Sequence, residues 1–269
     1  MSDDISTILF DTADRLFAAL SEGVRDWSGM FDDERAAGWH QLEESGLPLA
    51  LLDEDQGGLG LPLADGLELA RIAGRHALPW PLVETMLANR FAAEQGTDAP
   101  AGYVETLGQL ECAQRVLAAL ARSLQMAGML ESVLQMSIDY AGERSQFGRP
   151  IARFQAVQHM LAVLAGEVAA GSASVDHALP SVQAAGGPEF LAVAIARTRL
   201  GEAATRAVAL SHQLHGAMGY TQEHRLHRYT TALMRYRDDF GTQAWWSQQV
   251  GKAVLAEGRD GLWPMATAA

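Results

Sequence analysis

A segment in the middle of the chain carries side chains that suit a ligand with a pyrophosphate and an aromatic base. It reads Tyr140-Ala141-Gly142-Glu143-Arg144-Ser145-Gln146-Phe147-Gly148-Arg149-Pro150-Ile151, and Phe154-Gln155 follows shortly after. The guanidinium of Arg144 offers a planar set of donors that matches phosphate oxygens, and the ring of Phe147 can stack on a base. Gln146 and Gln155 add amide groups for specific hydrogen bonds. A simpler interpretation is a capped helix whose Arg144 pairs with a surface carboxylate.

A second segment is rich in glycine and lies between two helical patterns. It reads Gln213-Leu214-His215-Gly216-Ala217-Met218-Gly219-Tyr220-Thr221. Glycines such as Gly216 allow the backbone to approach a ligand closely, and the amide of Gln213 supplies hydrogen-bond donors. The alternative is an ordinary glycine-rich turn between two helices.

Two adjacent carboxylates, Asp238 and Asp239, precede Gly241-Thr242. A carboxylate in this place can act as a general base that removes a proton from a substrate carbon. The same residues can instead cap a helix that begins near Thr242, because unpaired N–H groups and the helix dipole favour acids there. Both interpretations stay open. His224 and His227 have no third ligand nearby, so the sequence predicts no metal site.

The charge balance disfavours nucleic acid as a partner. Lys and Arg number 20 and Asp and Glu number 33, which gives a net charge of −13 over 269 residues. Such a surface repels phosphate backbones. An anionic ligand must therefore be held by a local group of Arg side chains or backbone N–H donors.

We expect a cytoplasmic protein that is neither secreted nor inserted in a membrane. The start of the chain lacks the basic segment followed by an apolar one that is typical of a signal peptide. No stretch of about eighteen apolar residues is free of charged residues, as a transmembrane helix would require. The single cysteine, Cys112, cannot form an internal disulfide, which fits a reducing compartment. Its size and type suggest a small core residue.

The chemistry-bearing segments are embedded in helical patterns throughout. In the first third, helices are predicted near 8–20, 39–47 and 63–74, with an acidic glycine-rich loop at 51–61 and breaks at Pro79 and Pro81. Long helical patterns follow near 111–144, 154–170, 188–217, 224–237 and 242–256. The sequence thus predicts an all-α fold with an N-terminal helical domain (1–95), a Gly/Pro/Thr linker (96–110) and a C-terminal antiparallel bundle of four or five helices (111–269).

These motifs resemble those of the acyl-CoA dehydrogenase family. The match is nearly continuous over positions 140–155, and the segment 213–221 is similar to a family loop in which Ala217 replaces a second glycine. Positions 38–61 also resemble the first family domain, so the resemblance covers most of the chain apart from 90–110. Full-length members carry a β-domain where this sequence has only residues 101–110. The chain therefore looks like a truncated subunit, similar to those of heteromeric dehydrogenases of steroid side-chain thioesters.

The resemblance implies FAD as cofactor and an acyl-CoA as substrate, in which an α,β-double bond is formed. It assigns the adenosine diphosphate half of FAD to Arg144, Gln146, Phe147 and Gln155, and it implies that Gln213, Gly216 and Ala217 reach the FAD of a neighbouring subunit. We therefore expect the first group on one chain to face the second group on another. Implied partners are a full-length acyl-CoA dehydrogenase subunit in a heterotetramer, or further copies of this chain, and an electron-transferring flavoprotein.

The resemblance leaves the catalytic base open. The family uses a Glu after a Tyr, but an ungapped alignment puts Arg237 at that position and an alignment on Gly241-Thr242 puts Phe240 there. Asp239, with Asp238 beside it, is the candidate base that remains. The competing hypothesis is a non-catalytic, architectural subunit that completes the FAD site of a full-length partner. A helical scaffold that has lost the flavin is a third possibility.

Overall fold

The N-terminal part of the protein consists of four helices. The computed structural model describes residues 2–22, 24, 30–183, 187–221 and 223–267. The first helices are α1 (Ser2–Ser21), α2 (Asp32–Glu44), α3 (Leu63–Arg75) and α4 (Leu82–Gln95), with single 3₁₀ turns at Leu47–Leu49 and Glu54–Gln56. The helices predicted near 8–20, 39–47 and 63–74 correspond to α1, α2 and α3.

Helix α4 was not predicted from the sequence. Its apolar residues Leu82, Val83, Met86 and Leu87 are buried, but so are the polar residues interspersed with them. A helix that is buried on most sides shows no apolar stripe, so its helical periodicity is weak.

Five further helices form the C-terminal part of the described chain. They are α5 (Cys112–Glu143), α6 (Gln155–Ala178), α7 (Phe190–His215), α8 (Leu226–Tyr236) and α9 (Gln243–Thr267), and 3₁₀ turns occur at Ile151–Arg153, Leu179–Gln183 and Gly216–Tyr220. The strands β1 (Ser145–Gln146) and β2 (Arg149–Pro150) pair as a two-stranded antiparallel hairpin. The predicted all-α class with a C-terminal helical bundle is confirmed.

Helix α5 is the centre of the packing and contacts α3, α6, α7 and α8. A Cβ atom built on Gly128 of α5 would lie 2.0 Å from the carbonyl oxygen of Arg71, and one on Gly74 of α3 would lie 2.0 Å from that of Gln125. The backbones of α3 and α5 therefore approach so closely that only glycine fits at these positions. One continuous hydrophobic core extends through both parts of the chain, and the division into two domains remains a prediction.

The linker lies against the N-terminal helices. Residues 96–111 are all described and contain no strand. The backbone N–H of Val104 donates to Oγ1 of Thr85 at 2.9 Å, and the Tyr103 ring meets Trp39 edge-on at 5.4 Å. Cys112 is exposed rather than buried, because it is the first residue of α5 and lies before the buried stretch of that helix. None of the helices, over the residues described, is long and apolar enough to cross a membrane.

Candidate functional site

The first candidate segment forms a hairpin at the end of α5. Arg144 follows the last helical residue and has an extended backbone, and the hairpin pairs Gln146 with Arg149. The turn residues Phe147 and Gly148 both have positive φ, 52° and 78°, as a tight turn between antiparallel strands requires. This conformation holds the Phe147 side chain in solvent with 92% of its surface exposed. An aromatic ring is thus available to a ligand or a partner chain.

The second candidate segment follows the end of α7. The helix ends at His215, and Gly216 then has φ 59° and ψ −143°, a combination that residues with a side chain rarely adopt. A Cβ atom at Gly216 would meet nothing within 4 Å. The glycine is therefore required by the backbone conformation and not by a lack of space.

Tyr140 joins the two segments. Its ring stacks on His215 with centroids 4.4 Å apart, and its hydroxyl donates to the carbonyl oxygen of His215 at 3.3 Å. Tyr140 was assigned no role from the sequence, although it lies in the last turn of α5, just before Arg144. His215 is buried, and burial lowers the pKa of its imidazole despite its hydrogen bond to the Ser211 carbonyl.

The two segments line a single open groove of about 430 Å³ within one chain. Five of the predicted residues line it: Arg144, Gln146, Gln213, Gly216 and Ala217. The expectation that the first segment of one chain faces the second segment of another stays a prediction. Within one chain, Tyr140 and His215 bring the ends of α5 and α7 together. The sequence could not show this contact, because its residues are 75 positions apart.

Arg144 is exposed, and no salt bridge among the described residues involves it. Its guanidinium is thus available to an anion in the groove. The simpler interpretation, a surface ion pair at Arg144, has no support in this part of the chain. Phe147 and Gln155 are exposed beside the groove and do not line it.

The carboxylates Asp238 and Asp239 lie in the loop that follows α8. Oδ2 of Asp239 is 3.1 Å from Nε of Arg122, an ion pair without the alignment of a hydrogen bond. Arg122 is buried on α5 and also donates to Oε1 of Glu84 at 2.5 Å. Its guanidinium carbon lies 3.9 Å from the centroid of the Tyr236 ring. Burial disfavours the charged guanidinium, but attraction to Glu84, Tyr236 and Asp239 outweighs it and raises the pKa of Arg122.

A second buried arginine holds the backbone of the same loop. Nη2 of Arg197 donates to the carbonyl oxygens of Tyr236, Arg237 and Asp239 at 3.0, 2.9 and 2.8 Å. Burial, followed by repulsion from Arg122, lowers the pKa of Arg197 to about 10. Neither arginine was identified from the sequence, since each contacts the loop from a helix that is distant along the chain.

The helix-cap interpretation of the two acids is wrong. Oγ1 of Thr242 accepts the backbone N–H of Trp245 at 3.2 Å and so caps α9. Asp238 pairs with Arg237 at 3.0 Å instead. Thr242 takes the capping position because it directly precedes the helix, whereas the acids are separated from it by Phe240 and Gly241.

The linker forms one side of an open groove over this loop. The groove has a volume of about 470 Å³, and its lining includes Gly108 and Leu110 of the linker and Phe240 and Trp245 from the loop and α9. Phe240 has φ 59°, an uncommon conformation for a residue with a side chain. Asp238 and Asp239 do not line this groove, but Phe240, the residue that follows them, does.

Comparison with known proteins relates the C-terminal part to one family. Residues 115–255 match the family model described as the acyl-CoA dehydrogenase C-terminal domain. The acyl-CoA dehydrogenase IpdE2 of Mycobacterium tuberculosis is 38% identical over 112 residues, which are 42% of this chain and 33% of that protein. The match thus spans about a third of the length of that curated relative.

Two solved structures share the fold. A Tcur3481–Tcur3483 steroid ACAD variant has a TM-score of 0.76 at 19% identity, over 96% of this chain and 99% of that one. The ChsE4–ChsE5 complex from Mycobacterium tuberculosis has a TM-score of 0.76 at 19% identity, over 94% of this chain and 98% of that one. At this level of identity the likeness concerns the fold alone.

Proposed function

The chain belongs to the acyl-CoA dehydrogenase family, and from that membership we propose that it is a subunit of a FAD-dependent enzyme that forms an α,β-double bond in an acyl-CoA thioester. The observation that carries the proposal is the groove between the ends of α5 and α7. It presents an arginine without a salt bridge, two glutamine amides and a glycine backbone in one place.

These residues fit the adenosine diphosphate half of FAD. Arg144 would pair with the pyrophosphate, and Gln146 and Gln213 would donate hydrogen bonds from their amides. Gly216 and Ala217 leave the backbone open to close approach. The exposed ring of Phe147 would stack on the adenine, with Gln155 as a further polar contact. When bound, FAD supplies the acceptor for the hydride that leaves the β-carbon of the thioester.

We propose that a second chain covers the flavin ring. Among the residues described, the only strands are those of the short hairpin, so this part of the chain places no β-domain over the grooves. The proposed partner is a full-length acyl-CoA dehydrogenase subunit in a heterotetramer, with further copies of this chain as the alternative. We also propose a steroid side-chain thioester as substrate and a two-chain assembly. The steroid ACAD, which has the same fold, supports a steroid substrate, and the ChsE4–ChsE5 complex supports the assembly. We further propose an electron-transferring flavoprotein as acceptor and a cytoplasmic location, which the lone cysteine fits.

Asp239, with Asp238 beside it, is the base that we propose for the α-proton. Its carboxylate is 32% exposed and lies in the loop beside the linker groove. In this role the α-hydrogen leaves as a proton to Asp239 while the β-hydrogen leaves as a hydride.

A second candidate function is an architectural subunit that completes the FAD site of its partner and performs no chemistry. The ion pair between Asp239 and Arg122 favours this candidate, because the carboxylate has a structural partner in the buried guanidinium.

The test is to purify the chain alone and together with a full-length acyl-CoA dehydrogenase subunit, and to measure bound flavin and its anaerobic bleaching by acyl-CoA. The proposal expects FAD to be retained in the complex and bleached by substrate. In the Asp239→Asn complex FAD should stay bound while bleaching is lost, and Asp238→Asn should bleach normally. Bleaching at the wild-type rate in Asp239→Asn would contradict Asp239 as the base and favour the architectural candidate, whereas absence of flavin from every assembly contradicts both.

A further inference from the structure

A separate groove runs along α8, on a part of the molecule that the FAD site does not use. It has a volume of about 170 Å³. Its lining includes Leu78, Pro79, Met129 and Ala232, with His227 towards one end and Arg235 towards the other. His227 and Arg235 are eight residues apart on the helix, or about 12 Å along its axis. Arg228, Thr231 and Tyr236 also line the groove, so it is elongated and combines one apolar wall with polar side chains from α8.

The size of the groove limits its ligand to a small molecule. An apolar protein cavity of about 150 Å³ is enough to hold benzene, so there is room here for a chain of about six carbons. Leu78 and Met129 are buried and form an apolar surface that does not hydrogen-bond a ligand. The middle of the ligand must accordingly be aliphatic or aromatic.

The charge of the lining selects an anion. The chain as a whole carries a net charge of −13, yet the residues that line this groove include no Asp or Glu. Arg235 is exposed and takes part in no salt bridge of the described residues. The carboxylates three and four positions further on are engaged elsewhere, because Asp238 pairs with Arg237 and Asp239 with Arg122. The guanidinium of Arg235 lies over the Tyr236 ring, 4.9 Å from its centroid, and its N–H donors remain available to an anion at the end of the groove.

One wall of the groove is fixed by a strained residue and a buried contact. Ala77 has φ 45°, a conformation rarely taken by a residue with a side chain. Arg228 holds it there, because Nη2 of Arg228 donates to the Ala77 carbonyl oxygen at 2.9 Å. Nη1 of Arg228 donates to the Val24 carbonyl oxygen at 2.5 Å. Strain that the surroundings maintain is typical of preformed binding sites. Because the guanidinium of Arg228 donates to these two carbonyl oxygens, Arg235 is the better donor to an anion.

We propose that this groove binds a short aliphatic carboxylate, with the chain against Leu78, Met129 and Ala232 and the carboxylate on Arg235. The site takes no residue from the FAD groove and does not depend on flavin. Binding can therefore be tested on the chain alone, and its outcome is independent of the proposed enzyme function.

The experiment is a calorimetric titration of the full chain with hexanoate, and with hexanamide as an uncharged analogue of similar shape. We expect saturable binding of hexanoate and about tenfold weaker binding of hexanamide, because a charge-assisted hydrogen bond is lost. Arg235→Gln should weaken hexanoate by a similar factor and leave hexanamide unchanged. Lys252→Gln, which removes a positive charge from an exposed position on α9, should leave both affinities unchanged.

A second variant tests the location. Ala232→Phe fills the groove and should abolish hexanoate binding, with circular dichroism to verify the fold. The proposal is overturned if the wild-type chain shows no saturable binding, if hexanamide binds as tightly as hexanoate, or if folded Ala232→Phe binds hexanoate normally. Because Arg235→Gln changes only an exposed side chain, it gives an answer even if Ala232→Phe does not fold.

Discussion

Arg122 and Asp239 form an ion pair, with Nε and Oδ2 3.1 Å apart, that ties the loop after α8 to the central helix α5. On its other side Arg122 contacts Glu84 of α4. The side chain of Arg122 is only 4% exposed, so each carboxylate compensates part of a charge removed from water. The position of the candidate catalytic loop therefore depends on residues from both parts of the chain.

Replacing Asp239 by Asn should lower the free energy of unfolding of the isolated chain by about 1–3 kcal/mol, because the buried Arg122 guanidinium loses one of the two carboxylates that compensate its charge. Asp238→Asn is the matched control. Asp238 is more exposed and pairs only with Arg237, and such a pair contributes about 0–1 kcal/mol. Urea denaturation of the three proteins measures the difference. Equal stabilities of the two variants would show that the Arg122 ion pair is not needed by the fold.

Replacing Arg144 by Ala should reduce FAD retention in the assembled protein by about tenfold or more, because a charge-assisted contact with the pyrophosphate is lost. Arg149→Ala changes the same hairpin but removes a guanidinium that lies 4.3 Å from the Phe154 ring centroid, and it should retain FAD. The flavin content per chain after gel filtration gives the comparison. Wild-type flavin content in an intact Arg144→Ala assembly argues against the groove as the FAD site.

Replacing Gly128 by Ala should lower the free energy of unfolding by about 3 kcal/mol, because the new methyl group would overlap the Arg71 carbonyl of α3 and force the two helices apart. Gly166→Ala on α6 is the control. A Cβ atom there meets nothing within 4 Å, and Ala is the better helix former by about 0.5–1 kcal/mol. In thermal and urea denaturation, Gly128→Ala should be less stable than the wild type and Gly166→Ala more stable. A neutral Gly128→Ala would contradict the close packing of α3 on α5.

Acidification below pH 6.5 should destabilise the protein. Burial lowers the pKa values of His212, His215 and His224 below the usual 6.5. The unfolded chain then binds protons that the folded chain does not, so this contribution is complete above about pH 6.5 and is lost as the pH falls through the folded pKa values. Urea denaturation as a function of pH measures the slope.

The matching variant is His215→Phe, which keeps an aromatic ring beside Tyr140 and removes one proton-binding site. Its unfolding free energy should depend less steeply on pH below 6.5 than that of the wild type. The slope is the decisive quantity, because loss of the hydrogen bond to Ser211 changes the absolute stability as well. An unchanged slope would mean that His215 is not the titrating group.

The sequence was sufficient for the fold class and for most helices because a helix that is exposed on one side shows its apolar face as a periodic pattern. Helix α4 was not predicted because it is buried on most sides, and an apolar stripe is visible only when the opposite side of the helix is exposed. The residues of the proposed FAD groove were found through local segments, in which Arg144, Gln146 and Gln213 carry the chemistry that suits this ligand. Tyr140 was present in the same segment, but its contact with His215 is a tertiary one.

By itself, the sequence determined an all-helical protein, the absence of a strand-rich block between 96 and 111, and the residue types available for a nucleotide-type ligand. Only the tertiary structure decided that both ligand segments line one groove of one chain, that Thr242 caps α9, and that Asp239 neutralises a buried arginine. Periodicity and propensity act over a few residues and can be read along the chain. Ion pairs and ring stacks between positions such as Arg122 and Asp239 arise only when packing brings distant segments together.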